Sequence, residues 1–440
     1  MTERTERETL RLGIAGLGTV GAGVVRLLET NRAIVEARAG RPIRIVAVSA
    51  RDSTRDRGID LSPYAWEGSM EALARRDDID VVVELVGGAD GPALALARAA
   101  LGSGKGLVSA NKAMIAHHGL ELAELAEAGG LPLRYEAAVA GGIPVIAGLR
   151  EGAAGNVVER VYGILNGTSN YILSAMESSG ADFEETLAEA QRLGFAEADP
   201  AFDIDGVDAA HKLAILASLS FGTRIDFGGV EIEGIRRVRA ADIARADALG
   251  FVVRLIGVAD LDRAQDGEAR LLQRVRPCLI AKDHPLAPVD GPTNAIVAEG
   301  NFSGRLMFQG PGAGEGPTAS AVIADIVAIA RGDRTPAFSV PAAALDTVAR
   351  ADSGRREGRS YLRFTVADRP GVLAELAAAM RDADVSIESL IQAGVPNEGG
   401  ALIAMVTHAG PVANVRRAIA LVEESESLTG PPLVMPILRT

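Results

Sequence analysis

One glycine pattern constrains this chain more than any other feature. Gly16-Leu17-Gly18-Thr19-Val20-Gly21 reads G-x-G-x-x-G. It directly follows the apolar run Leu12–Ala15, which predicts a strand. It also opens Thr19–Asn31, where Val20, Val24, Leu27 and Leu28 share one helical face. A turn that holds a dinucleotide requires this context. Gly16 permits the tight turn, Gly18 lets backbone approach a pyrophosphate at the helix N-terminus, and Gly21 lets helix and strand pack closely. Thr19 and Val20 complete the turn. Strand and helix signals then alternate: strands over Ile43–Val48, Val81–Val86, Leu107–Ser109 and Leu133–Glu136, and helices over Ala89–Leu101 and Leu120–Ala128. Such alternation predicts an α/β fold with a doubly wound, Rossmann-type parallel sheet. Past the second strand, Arg51 suits a 2′-phosphate and favours NADP, while the adjacent Asp52 leaves NAD open.

Composition narrows the partners. The net charge of −13 argues against nucleic acid or an anionic membrane surface. A lone cysteine, Cys278, excludes an internal disulfide framework and a Cys₄ zinc site. The five histidines form no HExxH pattern. The first ten residues are charged and lack an apolar segment, so no signal peptide is expected. No apolar run reaches the roughly 18 residues of a spanning helix, and a cytoplasmic location is expected.

The cationic residues carry a sharper signal. Of 45 lysines and arginines only four are lysines: Lys105, Lys112, Lys212 and Lys282. An ammonium can shed its proton near neutral pH when buried, whereas a guanidinium cannot. Each lysine is therefore either a chance survivor or a candidate for proton chemistry. Lys112 follows Ser109-Ala-Asn, at the carboxyl end of a sheet strand, where open α/β sheets bind ligands. Lys212 lies four residues after Asp208, on one face of a helix expected over 207–221 whose later residues are almost wholly apolar. That pair is either a helix salt bridge or a buried functional pair. His211 reads as a packed or hydrogen-bonded histidine. Upstream, Glu197, Asp199, Asp203 and Asp205 suit a cationic substrate such as an amino acid ammonium, or form a solvated loop; their spacing lacks the EF-hand order. Asp260–Glu268 is charged and expected as a surface loop. Ala351–Ser360 is polar and expected as a linker. After it, strand and helix signals run β-α-β-β-α-β, the ferredoxin-like order.

These residues carry a resemblance. The run Ala190-Gln-Arg-Leu-Gly194-Phe-Ala-Glu197-Ala-Asp199-Pro-Ala-Phe-Asp203-Ile-Asp-Gly206-Val-Asp208-Ala-Ala-His-Lys212 resembles the signature of homoserine dehydrogenases. Asn166-Gly-Thr-Ser-Asn170, Ser109-Ala-Asn-Lys112 and Gly312-Ala-Gly314-Glu315 resemble further blocks of that family, in its order. The tail, with Asp368-Arg-Pro-Gly-Val-Leu373 and Ala383-Asp-Val-Ser-Ile387, resembles an ACT domain, a small regulatory module that often binds amino acids.

The resemblance implies NAD(P)H-dependent reduction of L-aspartate 4-semialdehyde to L-homoserine, in threonine, methionine and isoleucine biosynthesis. It implies an NAD(P)-binding domain over 1–136, completed by about 311–350 through Gly314 and Glu315 at the cofactor cleft. An α/β substrate-binding, catalytic and dimerisation domain would follow over 137–310, and an ACT domain over 361–440. By carry-over Lys212 donates the proton to the carbonyl oxygen. Lys112 binds substrate or the nicotinamide end and shares proton handling, Glu197 and Asp208 hold the substrate, and Asp203 supports them. The resemblance further implies a structural Na⁺ or K⁺ at Glu136, Val139, Gly141 and Ile143, held mainly by backbone carbonyls. An L-threonine effector on the tail and a homodimer or homotetramer are implied as well. The same residues also suit another NAD(P)-dependent amino acid dehydrogenase, or a non-catalytic sensor of nucleotide and amino acid. A phosphorylating semialdehyde dehydrogenase needs a cysteine nucleophile, and Cys278 sits in no activating motif.

Overall fold

Six short, largely buried strands pair into one parallel sheet: β1 (Leu10–Ala15), β2 (Ile43–Ser49), β3 (Ala65–Trp66), β4 (Val81–Glu84), β5 (Gly106–Ser109) and β6 (Leu133–Arg134). The computed structural model that contains them describes residues 8–263, 268–394 and 400–439. Their spatial order is β3-β2-β1-β4-β5-β6, so the strand order, not the strand direction, reverses between β1 and β4, and a crevice opens beyond their carboxyl ends. Strand β4 reads Val-Val-Val-Glu because both of its faces are covered. Val82 packs with Leu94, Leu96 and Leu107, while Val81 and Val83 pack with Val24, Val25 and Val322. The last of these residues belongs to the Glu315–Arg331 helix, which returns from far along the chain to lie against the Thr19–Thr30 helix.

The helix expected from Leu120 begins already at Lys112. Asn111 caps it, its side-chain oxygen accepting the Met114 amide at 3.1 Å. Met114, Ile115, Ala116 and Gly119 then carry the buried face through the two turns that precede Leu120.

A second sheet of seven strands forms the middle of the molecule. Its longest ladder pairs Phe251–Arg263 with Ala269–Ala281, antiparallel. Asp260, expected on a surface loop, therefore lies inside a strand, buried between Arg160 and Arg356. Its charge is balanced by arginines from a neighbouring strand and from residue 356, which a charge count along the chain does not register. Residues 264–267 of that expected loop lie outside the described residues. The Val207–Phe221 helix packs on this sheet and is buried without a break from Asp208 to Leu219.

The stretch 351–360, expected as a linker, is held to the body. Ser353 and Gly354 are buried in a short 3₁₀ turn, Glu357–Gly358 pairs with Gly410–Pro411, and Arg356 pairs with Asp260. The tail folds as Ser360–Ala367, Val372–Asp382, Ile387–Gly394, Gly400–Thr407, Val412–Glu423 and Leu433–Pro436. Numbered within the module, its four strands take the ferredoxin-like order 2-3-1-4. Leu362, Phe364 and Val366 face the module's own helices, whereas Tyr361, Leu402, Ala404 and Met435 join the main core. Both faces of this sheet are thereby covered. No helix among the described residues is long and apolar enough to cross a membrane.

Candidate active site

One carboxylate organises the site. Asp208 opens the Val207–Phe221 helix and is almost fully buried. Lys112 Nζ meets its Oδ1 at 2.8 Å and Lys212 Nζ donates to its Oδ2 at 2.8 Å. Lys212 also donates to the Leu165 carbonyl at 2.8 Å, which accepts from Asn294 Nδ2 at 3.0 Å. Asn166 caps the Gly167–Ser179 helix by accepting the Ser169 amide at 2.8 Å. Its amide nitrogen donates to Asp203 and to Asp208, both at 2.8 Å. Two lysines separated by a hundred residues thus share one anion at the carboxyl edge of the parallel sheet.

The electrostatics divide the pair. Burial alone would push the Asp208 carboxyl up, but the ammoniums of Lys212 and Lys112 outweigh it and hold the group below the usual carboxylate range. Burial pulls the Lys212 ammonium down, and Lys112 adds to that pull against the attraction of Asp208. Lys112 goes the other way: Asp208, Asp203 and Glu197 more than offset its burial and raise it. Its side chain keeps 35% exposure, against 9% for Lys212, and its Nζ lies 5.6 Å from the Phe202 ring centroid. Lys112 is also the first residue of its helix, where the macrodipole disfavours a cation, and Asp208 offsets that cost. Lys212 is accordingly the readier proton donor and Lys112 the more persistent charge.

The glycine turn has room for a dinucleotide. Gly16 adopts φ 94°, and a Cβ there would lie 2.6 Å from the Leu85 carbonyl oxygen. A Cβ on Gly21 would lie 2.0 Å from the Gly16 oxygen, so glycine is needed for the helix to start this close to β1. At Gly18 a Cβ would meet nothing within 4 Å, leaving the helix N-terminus open to a phosphate. Thr19 and Val20 begin that helix. Glu315 opens the returning helix after Gly314 (φ 113°) and pairs with Arg26 on the first helix. Arg51 is exposed beyond the end of β2. The Asp52 carboxylate is turned into its own loop, accepting Thr54 N at 2.8 Å and Oγ1 at 2.7 Å.

The other expected residues are spread more widely. Asp203 is tied to Asn166 and to Thr168 Oγ1 at 3.1 Å. Glu197 and Asp199 are exposed, and Asp205 pairs with Arg236. His211 stacks on Phe227 at 4.3 Å and meets His117 Nε2 at 3.2 Å; burial first, then His117, pull it down to about 4. At the turn expected to hold a cation, the Glu136 carboxylate is occupied by the amides of Ile146 and Ala147, each at 2.8 Å. Ala140 (φ 58°) and Gly141 (φ 55°) curl the segment between Val139 and Ile143. Among the described residues, no group of three or more His, Cys, Asp or Glu could hold a metal ion.

Asn166, Phe202 and Glu84 join the site without a role legible in the sequence. The Glu84 carboxylate ends β4, accepts Ser109 Oγ at 2.6 Å and the Val86 amide at 2.7 Å, and so shapes the crevice floor. A glutamate closing an otherwise all-valine strand was the available signal. Asn166 could have been found as a helix cap, but not as the bridge between two aspartates.

Three family models match the chain: "Homoserine dehydrogenase, NAD binding domain" over residues 16–136, "Homoserine dehydrogenase" over 144–327 and "ACT domain" over 360–425. A homoserine dehydrogenase of Synechocystis sp. is 44% identical over 98% of this chain and 100% of its own length. One from Mycobacterium tuberculosis is 42% identical over 97% of each chain. Among solved structures, a homoserine dehydrogenase from Thiobacillus denitrificans superposes with a TM-score of 0.91 at 38% identity, covering 98% of both chains. A hyperthermophilic archaeal homoserine dehydrogenase in complex with NADPH gives 0.62 at 28% identity, over 73% of this chain and 97% of that one.

Proposed function

The chain belongs to the homoserine dehydrogenase family, and from that premise we propose that it reduces L-aspartate 4-semialdehyde to L-homoserine, with NADPH preferred over NADH. The observation that carries the assignment of roles is the single carboxylate of Asp208 held at 2.8 Å by both lysines. A bound reduced nicotinamide supplies the hydride. Lys212, its ammonium pulled down by burial, gives its proton to the aldehyde oxygen as negative charge develops there, and takes it back in the reverse direction. Lys112 keeps its charge and steadies the same oxygen or the nicotinamide end. Asp208 aims both ammoniums, Asp203 braces Asn166, and Glu197 with Asp208 attracts the substrate ammonium.

Gly16, Gly18, Thr19, Val20 and Gly21 would hold the pyrophosphate, with Gly314 and Glu315 closing the cleft. The preference for NADPH rests on Arg51, exposed where a 2′-phosphate would lie, beside an Asp52 committed to Thr54. A monovalent cation, Na⁺ or K⁺, would sit on main-chain carbonyls of the Glu136–Ile143 turn, including those of Val139, Gly141 and Ile143, and would brace it; the curled backbone suits such ligation. L-Threonine is the proposed effector of the C-terminal module. A cleft of about 420 Å³ lined by Asp368, Arg369, Gly371, Gln392 and Ile403 supports that reading. Pairing of such modules along strand edges would give a homodimer or homotetramer.

The deciding assay adds aspartate semialdehyde to the full chain with NADPH or NADH and follows the loss of reduced-cofactor absorbance, with and without threonine. Oxidation of NADPH that depends on the aldehyde is expected. Binding of NADPH without turnover would leave only a sensor, and an unchanged rate with threonine would remove the effector assignment.

A further inference from the structure

Where the middle sheet meets the C-terminal module, a cavity of about 50 Å³ is lined by Arg160, Arg274, Arg356, Arg359 and Arg439, against Asp260 and Glu357. None of these residues belongs to the cofactor crevice or the Asp208 cluster. The charges do not balance. Asp260 commits both oxygens, one to Arg160 Nε at 3.3 Å and one to Arg356. Arg359 leans outward to Glu388 at 2.6 Å, and Glu357 is exposed. Arg274 has neither an ion pair nor a hydrogen bond among the described residues, and its Nε is buried and unpartnered. Nε of Arg359 is also buried without a hydrogen bond, whereas Arg160 has the poorly aligned Asp260 contact at Nε and donates from Nη1 to the Arg439 carbonyl at 3.0 Å. Burial is also the main influence disfavouring the charge on Arg274. Buried guanidinium donors left unpaired are costly, and several converging on one space call for an acceptor that the protein does not provide.

We propose that this cavity binds a compact oxyanion of the phosphate class, bridging the arginines of the middle sheet to those at 356 and 359 and so fastening the C-terminal module to the catalytic body. One water needs roughly 10–15 Å³ on the same measure, so the space admits an oxyanion and nothing much larger. Guanidinium forks match phosphate oxygens geometrically, as point charges do not. The anion is either free phosphate or the terminal group of a phosphomonoester whose remainder projects outward.

The test titrates inorganic phosphate, and in parallel O-phospho-L-serine, into the full chain in chloride buffer of matched ionic strength. Calorimetry and thermal unfolding give the readouts. Saturable binding is expected, with a rise of about 1–2 °C in unfolding midpoint at tenfold excess over Kd. Tighter binding of phosphoserine identifies an ester, and tighter binding of phosphate the free ion. Arg274→Met should bind at least about tenfold more weakly, since one charge-assisted contact is lost. Its anion-free midpoint should not fall, because among the described residues Arg274 has no hydrogen bond or ion pair to lose, and burial, the largest influence on its charge, disfavours it. Arg274→Lys, which keeps the charge and loses the fork, should bind with intermediate strength. No saturable binding of either probe, or equal binding by the wild type and both variants, overturns the proposal. A lower anion-free midpoint in Arg274→Met with unchanged binding overturns it too, by making Arg274 structural.

Discussion

Replacing Asp208 by Asn tests the core of the site with almost no change in shape. The carboxylate receives Lys112, Lys212 and Asn166, each at 2.8 Å. A carboxamide has one acceptor oxygen, and its NH₂ must face one of the ammoniums. Breaking a buried ion pair from one side costs about 3–5 kcal/mol. Here the loss is capped, because Lys212 is already pulled down by burial and can shed its proton instead. Each unit by which its pKa then lies below the working pH is worth about 1.4 kcal/mol. The expected destabilisation is therefore about 3 kcal/mol near pH 7, at the lower end of that range. Its pH dependence has a definite sign. A lysine whose folded pKa is depressed binds fewer protons folded than unfolded, so stability recovers as pH rises through that interval. The gap between Asp208→Asn and wild type should narrow between pH 7 and pH 9 in urea unfolding. Turnover should fall by about 10²–10⁴, since the donor is left neutral and unaimed, while NADPH affinity measured by cofactor fluorescence stays within a few-fold. A variant with kcat/KM within twofold of wild type, or a stability gap that widens with pH, would refute the shared-anion account.

Two further outcomes follow from the same geometry. Lys212→Arg keeps a cation beside Asp208 but removes the transferable proton, so kcat should fall by about 10²–10⁴ with NADPH affinity retained; near-normal kcat in steady-state assays would end the proton-donor role. Asp325, on the returning helix, accepts the Glu136 amide at 2.8 Å, and burial first, then Glu136, push it up to about 8. Its folded pKa lies above the unfolded one, so wild-type stability should decline as pH rises from about 4 to 8; Asp325→Asn should lose that part of the slope, and identical urea midpoints against pH for both proteins would contradict it.

What could be read from the chain was whatever depends on near neighbours. The glycine turn, the apolar strands of the parallel sheet and the Val207–Phe221 helix all follow from local periodicity, and the last matches its expected span. Contacts between distant segments could not be read that way. Asn166 reaches Asp208 across 42 positions and Asp260 reaches Arg356 across 96, and neither leaves a pattern along the sequence. The scarcity of lysine lies between these cases. Lys282 is a half-exposed partner of Asp247, and Lys105 is buried with its Nζ on the Ile79 carbonyl at 3.1 Å, so rarity alone marks no site. Two of the most deeply buried cations are arginines with several acceptors each. Arg134 has Asp333 and the carbonyls of Leu133 and Thr335, and Arg254 has Glu177, Asp290 and two carbonyls. A guanidinium can stay charged in the interior because its fork reaches several such partners at once. Around Asp208 two cations share one carboxylate, too few acceptors for two guanidiniums. Only ammoniums, compact and able to lose a proton, fit that poverty of partners, and the same poverty makes the proton on Lys212 available to a substrate oxygen.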